Sequence, residues 1–498
     1  MNERNLAGLA ATVLQPGFVG TAPPDWVRRW LADGLGAVVL FARNVVDPEQ
    51  VAALTATLRA ERPDVLVAID EEAGDVTRIE SGLGSSRPGN LALGAVDDPA
   101  LTEEVARDLG DELAALGVTL NYAPDADVNI NPANPVIGVR SFGADPHLVA
   151  RHTVAWVRGL QSAGVAACAK HFPGHGDTRV DSHHDLPRIE ASRGRLDSGE
   201  LVPFRAAVAA GVQAVMTGHL LVPALDPDLP ATLSRRILGD LLRDELGFSG
   251  VVVTDAVEMR AVADRYGFAG TAVRALVAGA DAICVGGERA DEAAARYLRD
   301  AIVAAVLSGE LPEERLAEAA KRVGQLAEWS TAARVGRPAD APRPVGGSPV
   351  GLTAARRAVR VSGDATGRLP LTGAAHVVEF APPHNIAIGA ETPWGLGAPL
   401  ADLLPGTTTV RLAEADLSAD PGGPTGGAGG RPLVLVVRDL HRHGWMRTAV
   451  DRALAARPDA VVVELGVPEL VTGRLHLATH GATRAATRAA AELLAGIR

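Results

Sequence analysis

Residues 165–187 read VAACAKHFPGHGDTRVDSHHDLP. The apolar run Val165–Ala169 passes directly into Lys170-His171 and then into a polar excursion, Phe172–Pro187, with neither helical nor alternating patterning. A short buried run that empties at one end into ionisable residues reads as a strand of a parallel sheet whose C-terminal edge carries chemistry. Outward from it, comparable runs recur at Leu9–Leu14, Ala37–Phe41, Val65–Ile69, Val118–Tyr122, Gln213–Thr217, Val251–Thr254 and Asp281–Val285. Between them, Pro48–Arg62, Pro99–Leu116, Asp145–Ala163, Leu201–Ala210, Arg235–Leu246 and Gly270–Ala278 carry apolar residues at the 3.6-residue period of a helix. Strand–helix alternation requires parallel pairing through crossovers and hence an α/β fold. Eight such units predict an N-terminal (β/α)8 TIM barrel over 1–331, in preference to an open doubly wound sheet.

Helical patterning continues through Asp291–Ser308 and Pro312–Trp329, and the Pro/Gly-rich stretch 332–351 reads as a linker. Beyond it, Val377–Phe380, Leu433–Val437 and Ala460–Leu465 look like buried strands separated by helices, so a smaller C-terminal αβα sandwich is expected over 352–498. The Gly-rich loop Pro421–Gly430 lacks the Gly-Lys-Ser/Thr ending of a phosphate-binding loop. At 498 residues and 47% hydrophobic composition the chain can bury two cores, and 54 glycines with 33 prolines mark a loop-punctuated fold. A net charge of −12 argues against a nucleic-acid partner. Cys168 and Cys284 cannot build a disulfide framework or a four-cysteine zinc site. No apolar run reaches the ~20 residues of a membrane span and the first residues lack a signal-peptide pattern, so a soluble cytoplasmic protein is expected.

Candidate site residues follow from what lies just past each run. The third run ends in Asp70-Glu71-Glu72 and continues to Arg78; the fourth leads to Asn121, Asp125 and Asp127 and a loop closing at Arg140. The fifth ends in Lys170-His171, the sixth is followed by His219, and the seventh ends in Asp255. Lys170 stands out because Lys321 is the only other lysine. The Lys170–Pro187 stretch holds four of the thirteen histidines together with Asp177, Asp181 and Asp185. A solvated polar loop is the bland reading, but long excursions in compact domains are usually functional. The spacing His171-x3-His175 raises a metal site, yet Pro173 and Gly174 keep the pair off one helix face, and no metal is expected. Asp181-Ser182-His183 is read as a carboxylate–imidazole dyad able to give and take a proton, with an Asx turn as the structural alternative for Asp181. Asp255, at the end of an all-β-branched strand, suits a nucleophile held ionised by cations such as Lys170, Arg78 and Arg140. The alternative is a helix N-cap.

Taken in order, AIDEEAGDVTRI (68–79), NYAPDADVNINPANPVIGVRSFG (121–143), KHFPGHGDTRVDSHHDLP (170–187), VMTGHLLVPALDPDLPATLS (215–234) and VVVTDAVEM (251–259) resemble glycoside hydrolase family 3, specifically its β-N-acetylglucosaminidase branch. The resemblance covers about 60–330, and its 170–187 block is the most specific part. It implies a retaining mechanism with Asp255 as nucleophile and His183 as acid/base assisted by Asp181. It further implies that Asp70, Arg78, Arg140, Lys170 and His171 grip the sugar. The chemistry itself suggests an acid/base loop hinged at Gly174 and Gly176 that closes over bound sugar, and requires no cofactor. The implied substrate is a small carbohydrate, a β-linked N-acetylglucosaminide of the muropeptide or chitin-oligosaccharide type. A phosphorylase using phosphate as acceptor, a non-catalytic sugar-binding barrel and a β-glucosidase or β-xylosidase are the competing readings. Two departures stand out. Asp75 occupies a place where the family commonly has arginine, and Asp125 one where an apolar residue is common.

Overall fold

A computed structural model describes residues 3–178, 186–335, 347–366, 368–383, 385, 387–389, 392–418 and 425–497. The chain forms two compact units that interleave in sequence. The first comprises Met1–Glu72, Thr102–Pro135 and Ala144–Val345, and the second Ala73–Leu101, Val136–Gly143 and Gly346–Arg498.

The first unit is the barrel. Its strands are β1 (Leu14–Pro16), β2 (Ala37–Leu40), β3 (Leu66–Ile69), β4 (Leu120–Asn121), β5 (Ala166–Phe172), β6 (Ala214–Thr217), β7 (Val251–Thr254) and β8 (Ile283–Val285). β2 through β7 pair in sequence order, β1 pairs with β8, and a Val253–Ala282 bridge links β7 to the start of β8. Every pairing is parallel. Residues two apart on successive strands converge on one core: Ala37 and Val39, Leu66 and Ala68, Leu120 and Tyr122, Ala166 and Cys168, Ala214 and Met216, Val251 and Val253. That spacing is the period of a pleated strand, so alternate side chains fill the barrel and the others meet the surrounding helices. Burial on both faces is why these strands read as continuous apolar runs rather than alternating ones.

The first run is corrected. Leu9–Thr12 belong to a helix, Glu3–Thr12, and only Leu14–Pro16 is extended. Ala and Leu are strong helix formers, and Leu6, Ala10 and Ala11 bury one face of that helix. The segment Arg236–Glu245 is wound as a π-helix. Helix Glu313–Arg334 extends into the stretch read as linker, and helix Pro349–Ala358 begins inside it. Val323 of the former reaches the backbone of Gly36, just before β2, so this helix closes the strand-start end of the barrel. The opposite, C-terminal end is left to the loops.

Asp281 anchors that closed end. Its fully buried carboxylate pairs with Arg243, with Arg315 at 2.5 Å and with Arg322 at 3.1 Å, and accepts the Val252 N–H at 3.0 Å. One carboxylate therefore ties the helix carrying Arg315 and Arg322, and the helical segment carrying Arg243, to β7.

The second unit contains a six-stranded sheet. Its strands are β9 (Arg360–Gly363), β10 (His376–Phe380), β11 (Thr408–Leu412), β12 (Leu433–Val437), β13 (Val461–Glu464) and β14 (Leu475–Ala478), in the spatial order β11-β10-β12-β13-β14-β9. Only β9 is antiparallel. Val377, Val434, Val436, Val461 and Val463 face a core with Ala490, Ala491 and Leu494 of helix Arg484–Ala495. Val378, Phe380, Leu435 and Val462 face the other, with Met446, Ala449 and Val450 of helix Gly444–Ala456. The result is an αβα sandwich. Among the described residues, no helix is long and apolar enough to cross a membrane.

Replacing Asp281 by alanine leaves three arginines gathered around a vanished charge. Loss of one partner from a buried ion-pair cluster costs about 3–5 kcal/mol, so Asp281→Ala is expected to lower the urea midpoint by that equivalent. An unchanged midpoint would contradict the role assigned to this carboxylate.

Candidate active site

β5 supplies the centre of the site. Pairing with β6 shifts register between Ala169 and Phe172, so a bulge falls on Lys170-His171, whose peptide bond is cis. A bulge re-aims side chains at the end of a strand. The Lys170 side chain is 2% exposed, and its ammonium pairs with Asp70, just beyond β3, and with Glu72 Oε1 at 2.6 Å. An ammonium cannot remain charged in such a place without counter-charges, and two carboxylates supply them. Glu72 is almost as buried as the lysine, whereas Asp70 keeps 27% of its side chain exposed. Asp70 is thus the member of the cluster that faces outward.

His171 is oriented from the β4 side. Its Nδ1 lies 2.7 Å from Asp127 Oδ2, and Asp127 Oδ1 accepts the backbone N–H groups of His171 at 3.2 Å and His175 at 2.6 Å. Burial pushes the Asp127 carboxyl up, but the His171 imidazole, the His175 ring and those N–H donors outweigh it and hold the group below the usual carboxylate range. Asp127 donates its own N–H to Asp125 Oδ1 at 3.0 Å. His175 Nδ1 contacts Thr178 Oγ1 at 2.8 Å, and its ring meets that of His171 edge-on. Asp125, Asp127 and His171 bring possible ligand atoms within 4.8 Å of one another, a donor set compatible with a metal ion. The same geometry serves to fix the ring of His171 without one.

Gly174 and Gly176 are sites of close approach. A Cβ on Gly174 would lie 2.6 Å from Glu200 Cβ, and one on Gly176 would lie 1.8 Å from the Val128 carbonyl. Asp181 and His183, with Arg179–Asp185 as a whole, lie outside the described residues.

Asp255 follows β7 directly and is half-buried. Its N–H donates to the Thr217 carbonyl at 3.1 Å, and its Oδ1 accepts the N–H of Ala256 at 2.8 Å. The N-cap alternative fails, because the next helix starts at Arg260 and is preceded by Met259. Glu258, three residues on, accepts the N–H groups of Gly286 and Gly287 at 2.8 and 2.7 Å and so holds the loop after β8.

Lys170, Asp70, His171 and Asp255 thus occupy the C-terminal ends of strands in the first unit, while Arg78 and Arg140 belong to the second. Arg78 donates to the Ala387 carbonyl at 3.2 Å, and Arg140 to the Val136 carbonyl at 3.2 Å. Glu72 and Asp127 stand among the residues past the strand ends without an assigned role in the sequence reading, and Glu258 does not figure in it. The acidic triplet Asp70-Glu71-Glu72 was the available signal for Glu72, and nothing local marks Asp127 as the partner of a histidine on the next strand.

The model of the glycosyl hydrolase family 3 N-terminal domain matches residues 11–326. The chain belongs to glycoside hydrolase family 3. It is 36% identical to a family 3 β-N-acetylglucosaminidase from Paenibacillus sp. str. FPU-7, with a TM-score of 0.86 over 99% of this chain and 96% of that one. A β-hexosaminidase from Alkalilimnicola ehrlichii is 40% identical over half of this chain and 73% of its own length. β-Hexosaminidase A of Pseudoalteromonas piscicida is 35% identical over 61% of this chain, and the match spans only 55% of that relative. Together these place the chain in the β-N-acetylglucosaminidase branch.

Within that family-3 frame Asp75 finds its explanation. In the second unit its carboxylate pairs with Arg438 at 2.6 Å and accepts the Ala482 N–H at 2.8 Å. Burial pushes the carboxyl up, and Arg438 pulls against it. Arg438 directly follows β12, at the point where strand order reverses between β10 and β12, the crevice in which open α/β sheets usually hold ligands. Here the chain's own Asp75 carboxylate pairs at that edge. Removing Arg438 alone strands a buried carboxylate, so Arg438→Leu is expected to cost about 3–5 kcal/mol. The double variant Asp75→Leu/Arg438→Leu should recover most of that loss in thermal melts, and simple additivity of the two changes would contradict the pairing.

Proposed function

We propose that the protein is a retaining β-N-acetylglucosaminidase that removes non-reducing terminal N-acetylglucosamine from β-glycosides of the muropeptide or chitin-oligosaccharide type. Asp255 attacks the anomeric carbon while His183, polarised by Asp181, protonates the leaving oxygen. Water, deprotonated by the same imidazole, then releases the sugar from its ester with Asp255. Asp70, Lys170, His171, Arg78 and Arg140 hold the glycone. The observation that carries the reading is the placement of Asp255: it ends a barrel strand, caps no helix, and sits at the same end of the barrel as the Lys170–Asp70 and His171–Asp127 pairs. Support for the substrate class comes from the relatives, named as a β-N-acetylglucosaminidase and as β-hexosaminidases.

The chemistry follows from the charges. The buried Lys170 ammonium orients the Asp70 carboxyl group, whose oxygens can take hydrogen bonds from two sugar hydroxyls. His171, with Nδ1 committed to Asp127, has its ring fixed in one orientation, which leaves Nε2 as the part of the ring offered to the sugar in this reading. Such fixed polar groups orient the sugar before reaction and need no rearrangement during it.

Turnover of 4-nitrophenyl N-acetyl-β-glucosaminide, with and without phosphate, tests this reading. Free N-acetylglucosamine at a phosphate-independent rate is expected, and N-acetylglucosamine 1-phosphate as the product would overturn the hydrolase assignment. Asp255→Ala is expected to lower turnover by orders of magnitude without changing the melting temperature. His183→Ala should slow substrates with poor leaving groups far more than activated aryl glycosides, because an activated group leaves with little proton donation. Equal slowing of both would remove His183 from the acid role.

A further inference from the structure

His219 follows β6 and is completely buried, yet nothing in the proposed reaction uses it. Its Nε2 lies 3.0 Å from the carbonyl oxygen of Ala256, the residue after Asp255. A carbonyl only accepts, so Nε2 carries the proton. Its Nδ1 lies 2.9 Å from Thr232 Oγ1, which in turn lies 2.7 Å from Thr217 Oγ1 and 3.1 Å from the Gly218 carbonyl. Thr217, Thr232 and His219 are all buried, so these groups have no water to fall back on. The chain of bonds runs from the end of β6, through the short 3₁₀ turn Ala231–Leu233, to the turn behind the nucleophile.

We propose that His219 is a positioning residue for Asp255. Ala256 is held at both ends: its carbonyl takes the imidazole N–H, and its own N–H caps Asp255 Oδ1 at 2.8 Å. The strand side is fixed separately, by the Asp255 N–H on the Thr217 carbonyl. The segment Asp255-Ala256 is therefore pinned from β6 on one side and from His219 on the other. Loss of the imidazole donor frees the Ala256 carbonyl, lets the peptide turn, and displaces the carboxylate that must meet the anomeric carbon. A misplacement of about 1 Å at a reacting group can cost about 100-fold in rate. The inference rests on the reading of Asp255 as nucleophile.

Two substitutions separate positioning from simple packing. His219→Gln places an amide N–H where Nε2 was and keeps the bond to Ala256. His219→Asn places its amide near Nδ1, keeps the contact with Thr232 and loses Ala256. With 4-nitrophenyl N-acetyl-β-glucosaminide, His219→Asn is expected to lose about 100-fold in kcat at nearly unchanged KM, while His219→Gln stays within about tenfold of the parent. A merely structural histidine would make the two variants alike in kcat, or would move KM and melting temperature together, and either result overturns the proposal. Should His219→Asn fail to fold, His219→Gln decides alone: near-parental kcat supports the role and a loss of about 100-fold rejects it. Asp255→Ala assayed alongside tells the two claims apart. Retained activity there removes the nucleophile and the positioning role with it, whereas an inactive Asp255→Ala beside indistinguishable His219 variants removes only the role of His219.

Discussion

A single buried ammonium organises the mouth of the barrel. Lys170 has almost no contact with solvent, and a charge in that position requires counter-charges within bonding distance. Asp70 and Glu72 supply them, which draws the chain beyond β3 onto the end of β5 and leaves the pair of carboxylates one charge in excess of the lysine. The division of labour between them follows from burial. Glu72 pairs with the lysine from inside, and Asp70 is the partly exposed member of the cluster. The same principle repeats one strand over, where buried Asp127 fixes the ring of His171 through its Nδ1.

These polar groups work because the scaffold beneath them is rigid. The barrel interior is an apolar core that includes Cys168, Cys284 and Tyr122. Burial pushes both thiols well above their usual range, so they stay protonated and behave as small hydrophobic residues. At the far end, Asp281 gathers three arginines and locks the closing helices to β7. The barrel thus concentrates charge at its two ends and excludes it between, which sets Lys170, Asp70, His171 and Asp255 at the ends of its strands.

Much of this architecture was legible in the sequence, for a physical reason. Strands buried on both faces have to be apolar throughout, so seven of the eight barrel runs announce themselves, as do β10, β12 and β13. β1 misled because its apolar approach is alanine-rich and helical. β9 and β11 were invisible because they are sheet edges, largely exposed and therefore mixed in composition. Of the candidate-site residues, Lys170, His171, Asp70 and Asp255 could be read as standing at strand ends, and the structure has them there. Asp127 could not be paired with His171, since register across β4 and β5 sets that contact and no local pattern encodes it. Arg78 and Arg140 show a related limit. They lie on loops after β3 and β4, yet the segments that carry them are built into the second unit, where Asp75 takes Arg438 as its partner. A substitution that looks like a defect in a motif is, in three dimensions, one half of a pair.

The central claim is that Asp255 forms a bond to the sugar, and stereochemistry reports on that bond directly. Proton NMR of the first minutes of hydrolysis of a β-N-acetylglucosaminide shows which anomer is released before mutarotation. Two displacements, the first by Asp255 and the second by water, leave the β-anomer as the initial product. Initial release of the α-anomer would mean a single displacement by water and would contradict a nucleophilic role for Asp255.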